Sequence, residues 1–180
     1  CENASAMGMH VQRCTPESLE QAVAALIREA PIRSASVYTI DETLRGKLDQ
    51  ALQATEVQRV DWPVRSVRDE LFDVDLGITQ AWMAVAETGS LVAAADTDGG
   101  RSLSLVPPNH LAIVRAGDIV ADVMDLMRIL GDRVADLPSG VSMITGPSKT
   151  ADIEGVLIKG VHGPGRVWIM VVEQEGHCGS

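Results

Sequence analysis

Apolar residues recur at helical spacing soon after Thr15, with Leu19, Ala22, Val23, Leu26, Ile27 and Ala30 on one face. Thr15 can cap this helix, Pro16 suits its first position and Pro31 closes it. The period then shortens. Residues 35–40, with β-branched Val37 and Thr39, predict a strand, and Leu44, Leu48, Ala51 and Leu52 predict a second helix. Residues 57–61 predict another strand. Alternating helix and strand favour an α/β layer with parallel pairing. The first ten residues show no periodicity. Residues 1–14 are therefore expected to be a flexible leader or a non-native remnant, with Met7 or Met9 a natural start, and residues 15–180 a single domain.

The middle of the chain changes character. Residues 82–86 and 91–95 are short apolar runs separated by Glu87-Thr88-Gly89-Ser90, which predicts a hairpin, and Asp96-Thr97-Asp98-Gly99-Gly100 supplies a second turn. Pro107-Pro108 breaks the chain before a buried strand over residues 111–114. From Asp118 onward, Ile119, Val120, Val123, Met124, Met127 and Leu130 form one face of a predicted amphipathic helix, with Asp118, Asp122 and Asp125 opposite and Gly131 just beyond. The two methionines read as core filler rather than sulfur ligands. The last third predicts a βαβ unit: strand 141–145, helix 150–159, strand 167–173, with a right-handed crossover if both strands share a sheet.

Composition narrows the function classes. A chain of 180 residues, 46% apolar and 22% charged, can bury a core without disulfides or metals. The longest apolar candidate, residues 167–172, falls far short of the roughly 20 residues that span a bilayer, so membrane insertion is not expected. Net charge is 15 − 25 = −10, without any Lys/Arg cluster, so phosphate backbones are repelled and no nucleic-acid partner is expected. Cys1, Cys14 and Cys178 form neither a disulfide framework nor a CxxC pair. No metal or cofactor is expected on this chain, and a reducing cytoplasm is the simplest compartment. A homo-oligomer stays open.

The strongest local candidate for a site is Thr145-Gly146-Pro147-Ser148-Lys149-Thr150-Ala151-Asp152-Ile153-Glu154. A strand feeding a Gly/Pro/Ser loop that opens a helix can hold an anion on free N–H groups, with Lys149 adding charge and Ser148 and Thr150 adding hydroxyls. The second glycine of a phosphate-binding P-loop is missing. The plainer reading is a capped helix, with Ser148 or Thr150 as cap and Asp152 and Glu154 complementing its dipole. Glu87 sits between two apolar runs, where a carboxylate can act as base or nucleophile, although a hairpin turn with its acid in water is the default. His162, in Val161-His162-Gly163-Pro164-Gly165, has the chemistry of a proton-transfer group or the silence of a polar turn. His110 reads as a structural histidine.

Three segments together resemble one family: Ala84-Val85-Ala86-Glu87-Thr88-Gly89-Ser90-Leu91-Val92, then Ser104-Leu105-Val106-Pro107-Pro108-Asn109-His110-Leu111-Ala112-Ile113-Val114, then the 145–154 segment continuing through Gly160-Val161-His162-Gly163-Pro164. Their order and spacing are similar to those of the lactate-utilisation protein C family, the LUD-domain proteins, over roughly residues 35–173. The resemblance implies the fold of the sugar-phosphate isomerases and coenzyme A transferases, a layered α/β/α domain with a mostly parallel sheet. It also implies an accessory role in oxidising L-lactate to pyruvate beside partner subunits that carry iron–sulfur clusters. Members of the wider fold use a glutamate near a glycine for covalent catalysis, which makes Glu87 a catalytic candidate by analogy, beside His162 from its own chemistry. The competing expectations are a stand-alone enzyme or sensor and a purely structural module. The enzyme or sensor would bind a carboxylate, phosphate or coenzyme A ester at Gly146, Ser148, Lys149, Thr150, Asp152 and Glu154.

Overall fold

The computed structural model describes residues 1–62, 71–95, 100–153, 156–159 and 163–173. In chain order the elements are α1 (Glu2–Ala6), β1 (His10–Cys14), α2 (Leu19–Glu29), β2 (Ser34–Tyr38), α3 (Glu42–Gln53), β3 (Gln58–Arg59), β4 (Leu76–Gln80), β5 (Met83–Val85) and β6 (Ser90–Ala95). Then follow α4 (Gly100–Leu105), β7 (Asn109–Arg115), β8 (Ile119–Val120), α5 (Val123–Asp132), β9 (Gly140–Ile144), β10 (Lys149–Ile153), β11 (Val156–Lys159) and β12 (Arg166–Val172).

Six strands form one sheet in the order β1-β12-β7-β4-β2-β3, and every pairing in it is parallel. Strands covered on both faces need apolar side chains pointing both ways. Leu111, Ala112, Ile113 and Val114 of β7 are all buried for this reason. One face carries Val37, Leu76, Ile78, Leu111 and Ile113 against α2 and α3, which contribute Leu19, Val23 and Ile27 and Leu44, Leu48 and Leu52. Each such large side chain stabilises the fold by roughly 1.5–3 kcal/mol relative to exposure. Asp41 starts α3 by accepting from the N–H groups of Thr43 and Leu44 at 3.0 and 3.1 Å.

The other face, through Ala112, Val114, Val167, Ile169 and Val171, packs on Leu91 and Ala81. Leu91 belongs to a second layer, a four-stranded sheet in the order β8-β5-β6-β9, whose far side holds Leu126 of α5 against Met83, Val85 and Val92. The fold is thus α/β with a mostly parallel main sheet, as the sequence led us to expect, and much of one face is covered by a small sheet with α5 beyond it.

Three local expectations change. Residues 1–14 do not form an unstructured leader: α1 is a short helix and β1 completes the edge of the main sheet, its polar His10, Gln12 and Arg13 masking the pattern. The amphipathic helix begins at Val123, not Asp118. Asp122 accepts from the N–H of Asp125 at 2.8 Å and caps it there, while Ile119 and Val120 pair with β5 as a strand. The predicted helix 150–159 is an antiparallel pair, β10 with β11, so the last third is not a βαβ unit. Thr150, Ile153, Val156 and Ile158 are β-branched, which favours strands. Correspondingly, β9 joins the small sheet by pairing antiparallel with β6.

Candidate functional site

In the main sheet β2 and β4 are neighbours, yet the chain leaves them toward opposite faces, into α3 after β2 and into β5 after β4. Such a switch point opens a crevice beyond the carboxyl ends of the strands, where open α/β sheets bind ligands. Here the crevice has a volume of about 490 Å³ and is lined by Thr39, Gln80, Trp82, Arg115, Asp118 and Arg133, among others. Thr39 follows β2, Gln80 ends β4 and Arg115 ends β7.

The floor of the crevice is hydrogen-bonded into place. The buried Thr39 hydroxyl donates to Gln80 Oε1 at 2.6 Å and accepts from the Asp41 N–H at 3.1 Å. Arg45 donates to the Thr39 carbonyl at 3.0 Å. Asp41 uses Oδ1 for its cap on α3 and Oδ2 for an ion pair with Arg115. One carboxylate therefore fixes both a helix start and a guanidinium. That guanidinium remains half exposed. Arg115 and Arg133 bring positive charge into the crevice of a chain that is acidic overall, and a planar guanidinium can match a carboxylate bidentately.

The loops singled out in the sequence lie elsewhere and partly meet. Residues 87–89 form the turn of the β5–β6 hairpin, with Glu87 exposed. Ser90 Oγ lies 2.7 Å from Thr88 Oγ1 and 2.7 Å from Thr145 Oγ1, which joins this turn to the loop after β9. The segment around α1 then lies across both. Asn3 donates to the carbonyls of Ala86 and Glu87 at 2.9 and 2.8 Å. Gly89 and Gly146, both at positive φ, admit its backbone closely: a Cβ at Gly89 would stand 2.3 Å from the Ala4 nitrogen, and one at Gly146 2.7 Å from the Met7 carbonyl. Lys149 is exposed and its Nζ donates to that same Met7 carbonyl at 3.3 Å. The Ser148 N–H donates to the Pro164 carbonyl at 2.8 Å. Thr150 and Asp152 lie on β10, while Glu154 and His162 lie outside the described residues.

Two buried groups stand apart from the crevice. His110 Nε2 is 2.9 Å from Thr79 Oγ1, Nδ1 has no partner among the described residues, and burial lowers its pKa to about 4, so the ring is neutral near pH 7. Burial and the nearby Glu173 push the Cys14 thiol up to about 11, which leaves it unreactive. Among the described residues no group of three His, Cys, Asp or Glu side chains could hold a metal, and no helix is long and apolar enough to cross a membrane.

The sequence reading missed Thr39, Gln80, Arg115, Asp118 and Arg133. The available signal was a polar residue closing each buried apolar run, at Thr39, Gln80 and Arg115.

A parallel α/β sheet with a crevice at a topological switch point defines the class of domain, and comparison with known proteins specifies it. The LUD domain family model matches residues 1–172, and the chain belongs to that family. Lactate utilization protein C 1 of Bacillus mycoides is 31% identical over 182 residues, covering 97% of this chain and 77% of that protein. Lactate utilization protein C of Halalkalibacterium halodurans is 32% identical over 167 residues, covering 91% and 73%. With the Bacillus licheniformis protein of that name the match is 39% over 102 residues, and the chain spans only 42% of its length. The crystal structure of a DUF162 family protein from Deinococcus radiodurans shares the fold, with a TM-score of 0.66 at 22% identity, covering 95% of this chain and 92% of that one.

Proposed function

We propose that this chain is an accessory component of a cytoplasmic L-lactate utilisation system, in which it holds the substrate carboxylate while iron–sulfur partner proteins take up the electrons. The reading is supported by its place in the LUD domain family beside relatives named lactate utilization protein C. The structural observation that carries it is Arg115, half exposed at the end of β7 and lining the crevice at the switch point. Oxidation of lactate to pyruvate removes two electrons and two protons from the C2 alcohol. In this scheme Arg115 takes the carboxylate, Arg133 adds positive potential, and Thr39 and Gln80 present polar groups to the C2 oxygen. The partners' clusters receive the electrons one at a time, and the two protons pass to water.

The test is affinity capture of the full-length protein from source cells grown on lactate, read by mass spectrometry, together with a deletion strain. Recovery of cluster-bearing proteins and growth on pyruvate without growth on lactate are the expected results. Normal growth of the deletion strain on lactate would refute the role. Ligand binding at Ser148, Lys149 and Thr150 is the competing location, and Lys149→Ala distinguishes it.

A further inference from the structure

We propose that the crevice continues, past the Asp41–Arg115 pair, into an apolar annex, and that the two together bind a 2-hydroxycarboxylate with an alkyl tail longer than the methyl group of lactate. This rests on the reading that the crevice takes a carboxylate. A second cavity of about 290 Å³ lies between the start of α2, the first turn of α3 and the ends of β7 and β12, walled by Leu19, Leu44, Ile113 and Val172. Arg115 lines both cavities and its ion-pair partner Asp41 lines the second, so the pair stands where the two meet.

That pair is built to move. Arg115 is half exposed, and ion pairs of that kind hold weakly. When the guanidinium turns from Asp41 to a ligand carboxylate, Asp41 keeps α3 capped through Oδ1, which accepts from Thr43 and Leu44. The helix start is therefore not lost when the pair opens. Lys47, which also lines the annex, has its amine engaged by the Pro16 carbonyl at 2.6 Å. Size points the same way. The crevice alone, about 490 Å³, lies within the roughly 300–1,000 Å³ range that houses drug-sized ligands, and lactate has three carbons. A carboxylate anchored at Arg115 leaves its tail beside Leu44 and Ile113.

The experiment is calorimetric titration of the full chain with the L-enantiomers of lactate, 2-hydroxybutanoate, 2-hydroxyhexanoate and 2-hydroxyoctanoate. Burying a methylene tightens binding about fourfold, so 2-hydroxyhexanoate is expected to bind about 60-fold more tightly than lactate. Thr43 is exposed on the first turn of α3 beside the annex, and Thr43→Trp fills that space while replacing no core side chain. In this variant the ratio of hexanoate to lactate affinity should fall toward one. A flat series in the wild-type protein, with lactate bound, overturns the annex and leaves the crevice reading intact. Failure of all four acids to bind overturns both. A steep series that Thr43→Trp does not flatten places the tail elsewhere and overturns the annex.

Discussion

Lowering the pH isolates the contribution of His110. Its ring is 2% exposed, hydrogen-bonded to Thr79, and burial holds its pKa at about 4 against 6.5 for the free side chain. The unfolded chain therefore takes up a proton near pH 6.5, and the folded chain only near pH 4. Between those values the unfolded state binds more protons, so this group's contribution is fully present above pH 6.5 and is lost as the pH falls toward 4. A difference of one proton is worth about 1.4 kcal/mol per pH unit, so the whole window amounts to about 3 kcal/mol. Domains are stable by only roughly 5–15 kcal/mol, which makes the loss easy to measure. Urea denaturation at half-unit steps from pH 4 to 8, on the wild-type protein and His110→Gln, is the assay. Carboxylates titrate in both proteins, so the difference between the two curves belongs to His110. The variant should be less stable at pH 8 and flatter below pH 6.5. Parallel curves throughout would refute the reasoning.

Other positions give sharp outcomes as well. A Cβ at Gly77 would stand 2.0 Å from the Leu103 carbonyl, so Gly77→Ala must push α4 off the sheet. The cost is about 1–3 kcal/mol, or a Tm lower by about 2–12 °C in a thermal melt; an unchanged Tm would contradict this packing. Gly89→Ala should release α1 from the hairpin turn, seen as faster amide exchange at residues 4–9 while β7 stays protected. Asp41→Asn keeps the cap oxygen but loses the charge facing Arg115, so it should change stability by less than about 1 kcal/mol while tightening carboxylate binding; a large loss of stability would show that the ion pair matters more than its exposure implies.

The strands that the sequence reveals most clearly are β7 and β12, because burial on both faces writes a nearly unbroken apolar run into each, while β2 shows through Val37 despite its buried Ser34 and Ser36. The β5–β6 hairpin is visible through its turn residues, and most of α5 through its apolar stripe. By contrast, β4 is interrupted by Gly77, which is there to admit the Leu103 carbonyl, a long-range demand that no local pattern records. Residues 149–153 and 156–159 form an antiparallel pair although Ser148 and Thr150 resemble helix caps, so the helix start that was to hold an anion there is a strand instead. The crevice is the least legible feature. Thr39, Gln80 and Arg115 are dispersed along the chain, and only the strand order β7-β4-β2 makes them neighbours.

The central claim is that the switch-point crevice, through Arg115, is where this chain takes a carboxylate. Calorimetric titration of L-lactate and pyruvate into the wild-type protein, Arg115→Gln and Lys149→Ala tests it most directly. Loss of a charge-assisted contact worth about 1.5–3 kcal/mol predicts binding about 10- to 150-fold weaker in Arg115→Gln, with Lys149→Ala matching the wild type. Full binding in Arg115→Gln, with loss in Lys149→Ala, would contradict the account and return the site to the loop after β9.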